Sequence, residues 1–302
     1  MPRDSSRHSG CGLFRRHKAD VRAVERIEET PLAIAAMSEI GDRLKRPVHL
    51  PDTAANLHAR YLAAQPFPHL VLDGLFSDEA MEDLLREIPS LKDDRWVHHE
   101  EKRLTKSNLR SAVDVGEIGY QHLSFLHSAG FLYLLAELTG IWHMVPDPYL
   151  SGGGYHVVPT GGRFDVHADR NVDHNTGLTR RLAMITYLNK GWKPEYGGQL
   201  ELWSRDASRC EVVVEPVFNR TILFEVDDRN FHGVRPVERE GQERKSFAMY
   251  FHTVGLPDGK TAAPHNSIYA PTFYRKRPEI RHIVRDCIPP LLLRGIQKVR
   301  GR

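Results

Sequence analysis

The sequence has little cysteine, and the few it has are scattered: Cys11, Cys210 and Cys287 lie far apart and form no CxxC spacing. That argues against a disulfide framework and against a thiolate zinc cage. It fits a reducing compartment, so a cytoplasmic location is expected. No apolar run approaches the roughly 18 residues that a membrane span needs. Arg and Lys near the start have no apolar stretch behind them, so no secretory leader is expected. Nor does one charge dominate. The 42 Lys+Arg against 39 Asp+Glu leave a formal net of +3, too little to suggest a nucleic-acid partner. The excess is local: residues 275–302 carry nine Lys/Arg against Glu279 and Asp286, a net of +7, which leaves the rest of the chain at −4.

The remainder is ordinary globular material, 40% hydrophobic and 27% charged over 302 residues, enough for a real core. Residues 1–60 read as an N-terminal extension, mobile at first and then helical, because Ala33, Ala36, Met37, Ile40 and Leu44 recur at helical spacing. Phe67–Asp73 reads as a strand. Ser77 is placed to cap a helix bearing Met81, Leu84, Leu85 and Ile88 on one face, with Phe76 and Met81 as a hydrophobic staple. A further helix is expected over 121–139, ending at Gly140. From residue 151 the pattern changes to short β-branched and aromatic segments between Gly, Pro, Asn and Asp turns: 163–169, 182–189, 198–204, 211–215, 220–226 and 245–253. That is an antiparallel sandwich or barrel, not a run of βαβ units. Helices first and strands after give an α+β chain, with N-terminal helices buttressing a barrel. The main domain is expected over 61–274. Residues 275–302 are expected to be a basic amphipathic tail, able to dock on the barrel, on an anionic membrane surface or on a partner protein.

Within Gly161-Gly-Arg-Phe-Asp-Val-His-Ala-Asp169, His167 and Asp169 stand two apart on an expected strand, so imidazole and carboxylate project to the same side. His232 comes much later, just past the 220–226 strand. Together these three form a two-histidine, one-carboxylate set, which covers one face of an octahedral iron(II) and leaves positions open. An H-x-D alone is a weak signal. Its weight comes from the order of the segments beyond it: Leu182–Asn189, Gly197-Gly198, Arg220–Phe224, His232 and Arg244–Phe251.

In that order the chain resembles the prolyl-hydroxylase branch of the Fe(II)/2-oxoglutarate-dependent oxygenases. The Tyr187-Leu-Asn-Lys-Gly-Trp192 stretch and the Gly152-Gly-Gly-Tyr-His156 segment carry the likeness, which extends over about 67–254. The resemblance implies a double-stranded β-helix (jelly-roll) barrel. It also implies Fe(II) held by His167, Asp169 and His232, with 2-oxoglutarate and O2 as co-substrates and ascorbate as an optional reductant. The activity implied is hydroxylation of a C–H bond in an amino-acid, peptidyl (prolyl among them) or related biosynthetic substrate, with release of succinate and CO2. Rival readings are a non-catalytic jelly-roll binding module and a zinc hydrolase using the same three side chains. A halogenase is disfavoured because Asp169 fills the position that halide would take.

A cation is needed for the distal carboxylate of 2-oxoglutarate. Strand alternation puts Arg244, Ser246, Ala248 and Tyr250 on one face and Lys245, Phe247, Met249 and Phe251 on the other. The family pattern selects Arg244, with Ser246 as helper, and arginine's planar fork suits a carboxylate. Tyr187 matches a family tyrosine that hydrogen-bonds the same group. Asn189 and His156 are left open between the site and ordinary turn or packing roles. His98, His99, His174, His252 and His265 are expected to be surface or packing residues, Trp192 and Trp203 to pack the barrel, and 98–116 and 170–180 to be solvated loops.

Overall fold

The computed structural model describes residues 48–109, 111–256 and 263–271. The basic tail, Cys11, Cys287 and the helical spacing at 33–44 therefore lie outside the described residues. Helix α1 (Ala54–Ala63) starts at Thr53, whose side chain accepts from the Asn56 N–H, and buries Leu57 and Tyr61. The 60/61 boundary drawn from composition falls inside this helix. Strand β1 (His69–Asp73) leads to α2 (Asp78–Glu87). Its cap is Ser77, which accepts from the Ala80 N–H at 3.3 Å, while Phe76 and Met81 are buried in one cluster as the staple spacing predicts.

The expected helix over 121–139 is two helices, α3 (Gly116–Leu126) and α4 (Ala129–Thr139). Ser128 causes the break. Its backbone is extended and its hydroxyl accepts from the Phe131 N–H, so it caps a new helix instead of continuing the old one. Gly140 closes α4 in the left-handed conformation, as its position suggests. Residues 98–109, read as part of a solvated loop, mostly form a hairpin of β2 (Trp96–Glu101) and β3 (Leu104–Leu109).

The remaining strands are β4 (Val145–Pro146), β5 (Gly154–Pro159), β6 (Phe164–Ala168), β7 (Thr179–Tyr187), β8 (Leu200–Trp203), β9 (Cys210–Val214), β10 (Arg220–Glu225), β11 (His232–Val234), β12 (Glu243–Thr253) and β13 (Ile268–Tyr269). All pairings are antiparallel, in the order β1-β10-β7-β12-β5-β3-β6-β11-β8-β9. The ribbon curls on itself at β3, which pairs with β5 on one side and meets β6 through Leu104 and Phe164 on the other. The result is the jelly-roll half-barrel with helices along one wall that the resemblance implied.

Alternation sorts the side chains. On the broad sheet, Leu182, Met184, Leu223, Phe247, Met249, Phe251, Tyr155 and Val157 point outward and pack with Leu84, Leu123, Phe131 and Leu135 of the helices. Their neighbours Ala183, Tyr187, Ile222 and Phe224 point inward and meet Leu200, Leu202 and Val234 of the facing strands. One sheet thus serves two cores. Its inward face is polar where β3, β5, β7 and β12 approach one another, and the candidate site lies there.

Candidate metal centre and co-substrate pocket

His167 stands one residue before the end of β6 and His232 begins β11, and the two residues are direct partners across the pair. Asp169 follows His167 on the same side. The three side chains are buried, and each offers a ligand atom within 4.8 Å of the others. His167 Nε2 stands 3.4 Å from Asp169 Oδ1, and His232 Nε2 stands 3.7 Å from Asp169 Oδ2. In both rings Nδ1 faces a backbone carbonyl, Asp165 at 2.8 Å and Asn230 at 3.1 Å. Donation from Nδ1 fixes the tautomer and turns the Nε2 lone pair toward the common point, an arrangement typical of metal-binding histidines. His167 Nε2 is buried with no hydrogen-bond partner.

Electrostatics suit the same task. Burial and the adjacent His167 push His232 down to about 4, so the ring is neutral and its lone pair free at ordinary pH. Burial alone would raise the Asp169 carboxyl, but His232, His167 and Arg180 outweigh it and hold the group well below the usual carboxylate range. The Tyr250 hydroxyl donates to Asp169 Oδ2 at 3.2 Å and orients the carboxylate. Two other aspartates near this strand do not join the triad. Asp165 pairs with Arg163 at 3.0 Å, and Asp173 belongs to a separate cluster.

The residues expected to hold an anion lie mainly on β12. Arg244 is 3% exposed and faces inward, while Lys245 projects to the other side and pairs with Glu243 at 3.2 Å. Nε of Arg244 donates to the Gly198 carbonyl at 2.7 Å, and the guanidinium lies over the Tyr187 ring at 4.8 Å. Gly198 has φ +71°, and a Cβ there would stand 3.2 Å from Arg244 Cδ, so the Gly197-Gly198 pair lets the backbone come this close. Arg244 Nη2, Ser246 Oγ, Tyr187 Oη and His156 Nε2 are all buried with no partner at hydrogen-bond geometry, although the Tyr187 hydroxyl and the Arg244 guanidinium act on each other. Ser246 stands between Tyr187 and His156 in the pairing, so three of these groups occupy one inward row. Unpartnered buried polar atoms are costly. Two hydroxyls, of Tyr187 and Ser246, beside a guanidinium with an unused N–H fit a carboxylate that supplies the missing acceptors.

Asn189 is not in this row: its amide clips the Pro216 and Lys245 carbonyls and accepts from the Lys245 N–H. Trp192 packs with Val158 and Val237 as expected. Sequence reasoning misses Lys106. On β3 it points inward with Asn108, which pairs with His156, and its ammonium lies 5.4 Å from the Phe164 ring centroid. Burial pushes Lys106 down to about 8, against the pull of Asp169 and with repulsion from Arg244 and Arg180. His156, buried beside Lys106 and Arg244, is held well below its ordinary value. Arg180 lies flat on Tyr250, 3.7 Å from the ring centroid.

The comparisons with known proteins agree with this geometry. Residues 153–252, which contain the triad, Tyr187 and Arg244, match the family model described as the 2OG-Fe(II) oxygenase superfamily. Over this segment the chain is similar to that superfamily, and its matched relatives include prolyl hydroxylases. The superfamily implies Fe(II), 2-oxoglutarate and O2. Prolyl 3-hydroxylase OGFOD1 of Mus musculus is 27% identical over 204 residues, 65% of this chain and 34% of that protein. Prolyl hydroxylase EGLN3 of Homo sapiens is 40% identical over 68 residues, 22% of this chain and 28% of that protein. The chain thus spans about a third or less of the curated relatives it matches. Among solved structures, a Pseudomonas putida prolyl-4-hydroxylase aligns with a TM-score of 0.47 at 20% identity, covering 67% of this chain and 99% of that one. A Trichoplax adhaerens prolyl hydroxylase aligns at 0.49 and 17%, covering 71% and 92%.

Proposed function

We propose that the protein is an Fe(II)- and 2-oxoglutarate-dependent dioxygenase that hydroxylates a C–H bond of a peptidyl substrate, with release of succinate and CO2. The observation that carries this reading is the pairing of two features in one cavity. One is a buried His-Asp-His set with both Nε2 lone pairs turned inward. The other is a buried arginine beside the Tyr187 and Ser246 hydroxyls. Iron and the keto acid supply the oxidising chemistry when bound. The chain's own residues do the rest. His167 and His232 offer their Nε2 atoms, and Asp169 offers a carboxylate that stays ionised and oriented by Tyr250. Arg244, Tyr187 and Ser246 hold the distal carboxylate, while Phe224, Ile222 and Leu202 keep water from the barrel interior.

A peptide substrate, prolyl in the first instance, is supported by the prolyl hydroxylases among the matched sequences. Among the described residues no helix is long and apolar enough to cross a membrane. The test is anaerobic iron(II) loading followed by succinate and CO2 measurement with 2-oxoglutarate and oxygen. Wild-type protein is expected to bind iron(II) at the triad and release succinate, and His167→Ala or His232→Ala to lose both. Unchanged turnover in both variants, or no succinate from iron-loaded wild type, would overturn the reading. The second result would favour a hydrolase or a binding module. Mass spectrometry of prolyl peptides after turnover, looking for a gain of one oxygen, tests the substrate.

A further inference from the structure

Asp147, Asp173 and His252 form a second buried group of potential ligands among the described residues, apart from the triad. Their ligand atoms lie within 4.8 Å of one another, and none of the three residues is more than 2% exposed. They come from different parts of the chain: Asp147 just after β4, Asp173 in the segment that follows Asp169, and His252 near the end of β12. Sequence alone makes His252 an ordinary packing residue, but its surroundings are not apolar. One ring nitrogen meets the Val145 carbonyl, and Nε2 is buried with no hydrogen-bond partner. That repeats the arrangement of His167 and His232, a ring fixed by a carbonyl behind it with a lone pair left in front.

The carboxylates are held in the same way. Asp147 accepts from the Tyr149 N–H at 2.9 Å through one oxygen and from the Ser151 N–H at 2.6 Å through the other. Asp173 Oδ1 accepts from the Asn175 and Thr176 N–H groups and the Thr176 hydroxyl. Its Oδ2 has no partner at hydrogen-bond geometry, although the Ser151 hydroxyl acts on the same carboxylate. Burial would raise the Asp173 carboxyl, but these donors hold it at about 2, so it is ionised. The nearby cation, Arg180, donates from Nη2 to the Ser151 carbonyl at 2.8 Å and lies over Tyr250, while its Nε is buried without a partner and its charge acts on His252. Among the described residues, no Lys or Arg comes within ion-pair distance of Asp147 or Asp173. Two buried carboxylates without a counter-ion are strongly unfavourable. A dication would neutralise both, and the His252 lone pair would supply a third ligand.

We propose that Asp147, Asp173 and His252 bind a second divalent metal ion. The donor set is one imidazole and two carboxylates, which suits zinc or manganese(II) better than calcium, whose ligands are all oxygen. The ion ties β4, β12 and the 170–179 segment together. Asp173 stands four residues beyond Asp169, so the ion steadies the backbone that carries the carboxylate of the first centre. This site stands independently of the oxygenase reading.

The experiment counts metal. The full chain carrying His167→Ala and His232→Ala is stripped with chelator, loaded with manganese(II) or, separately, zinc, desalted and assayed by elemental analysis. One ion per chain is expected, against two for wild type, and its loading is expected to raise the melting temperature. Adding Asp173→Asn and His252→Gln is expected to remove that remaining ion. No ion in the triad variant overturns the proposal, as does an ion that survives the added substitutions. If the added substitutions prevent folding, the count in the triad variant still decides, because that variant leaves the second cluster intact. A count of one in both wild type and triad variant removes the triad assignment and keeps the second site.

Discussion

Arg244 and Lys245 are adjacent cations on β12, and the inward register distinguishes them. Arg244 is buried, with Nε fixed on the Gly198 carbonyl and Nη2 unpartnered. Lys245 is on the outer face beside Glu243. Truncating one partner of a desolvated charge-assisted pair costs roughly 2–5 kcal/mol, much of it the penalty of leaving the other charge unpaired. A decade in a binding constant corresponds to about 1.4 kcal/mol. Arg244→Ala is therefore expected to raise the apparent 2-oxoglutarate constant by at least about tenfold, and by about 30-fold at the lower end of that range. Part of the loss is structural, since the Gly198 carbonyl is left without its donor at a cost of about 1 kcal/mol. A thermal melt separates that part. Arg244→Lys keeps the charge but loses the fork and is expected to be intermediate. Lys245→Ala is expected to change the constant little. The assay is succinate formation against 2-oxoglutarate concentration for the three variants. A large shift in Lys245→Ala with none in Arg244→Ala would mean that the register of β12 is off by one, and the placement of Ser246 and Tyr250 would fall with it.

Other outcomes follow from the same geometry. Asp169→Gly is expected to keep some iron on the two histidines and to lose product formation. Near wild-type hydroxylation, measured by mass spectrometry, would refute the role given to that carboxylate. Tyr187→Phe removes a buried hydroxyl that faces the Arg244 guanidinium. It is expected to weaken 2-oxoglutarate binding several-fold, on the order of 1 kcal/mol, and an unchanged constant would take Tyr187 out of the pocket. Gly198→Ala puts a Cβ against Arg244 Cδ at a positive φ; it is expected to raise the 2-oxoglutarate constant, and equal kinetics with glycine would count against the close approach. Lys106 has a folded value lowered to about 8 from an ordinary 10.5. Between those values the unfolded chain binds the extra proton, so stability rises with pH across that window, and below about 8 the penalty is fully present. Lys106→Met is accordingly expected to melt higher than wild type in the metal-free protein at pH 7, with the gap narrowing as pH rises toward 10. A gap that is absent at pH 7 or widens with pH would contradict this.

Where a strand has one apolar and one polar face, the sequence announces it. The segments at 163–169, 182–189 and 245–253 fall on β6, β7 and β12, and their alternation places Arg244 opposite Lys245. The two-residue spacing puts His167 and Asp169 on one side, and they are there, although Asp169 lies just past the end of β6. The hairpin at 96–109 escapes because its inward residues are polar. Lys106 and Asn108 face a cavity that needs charge, so the usual sign of the alternation is inverted and the strand reads as a solvated loop. His252 escapes for a different reason. Its meaning depends on Asp147 and Asp173, both distant in sequence, and on an irregularity at Phe251/His252 that sets His252 opposite Arg180. Nothing local in Tyr-Phe-His-Thr signals that. The break at Ser128 is visible in principle, since a serine before an apolar run is a cap, but the abundance of Leu and Phe on both sides conceals it.

The two halves of the candidate site come from opposite walls of the curled sheet. The proposed metal ligands are on β6, its end and β11, while the proposed carboxylate anchors are on β7 and β12. No single strand carries both, so the spacing between metal and anchor is set by the core between the walls, where Tyr187, Ile222 and Phe224 meet Leu202 and Val234. Phe224 takes part directly, its ring centroid 4.8 Å from that of His232. Iron(II), Asp169, 2-oxoglutarate and Arg244 together sum to zero charge, so a loaded pocket is neutral before Lys106 is considered. The cost of burying each charge is met by another on the facing wall and not by solvent. This division explains why the pocket can be polar inside an otherwise apolar barrel. The apolar contacts lie on the outward face and in the core shared by the two walls, and the charges meet between them.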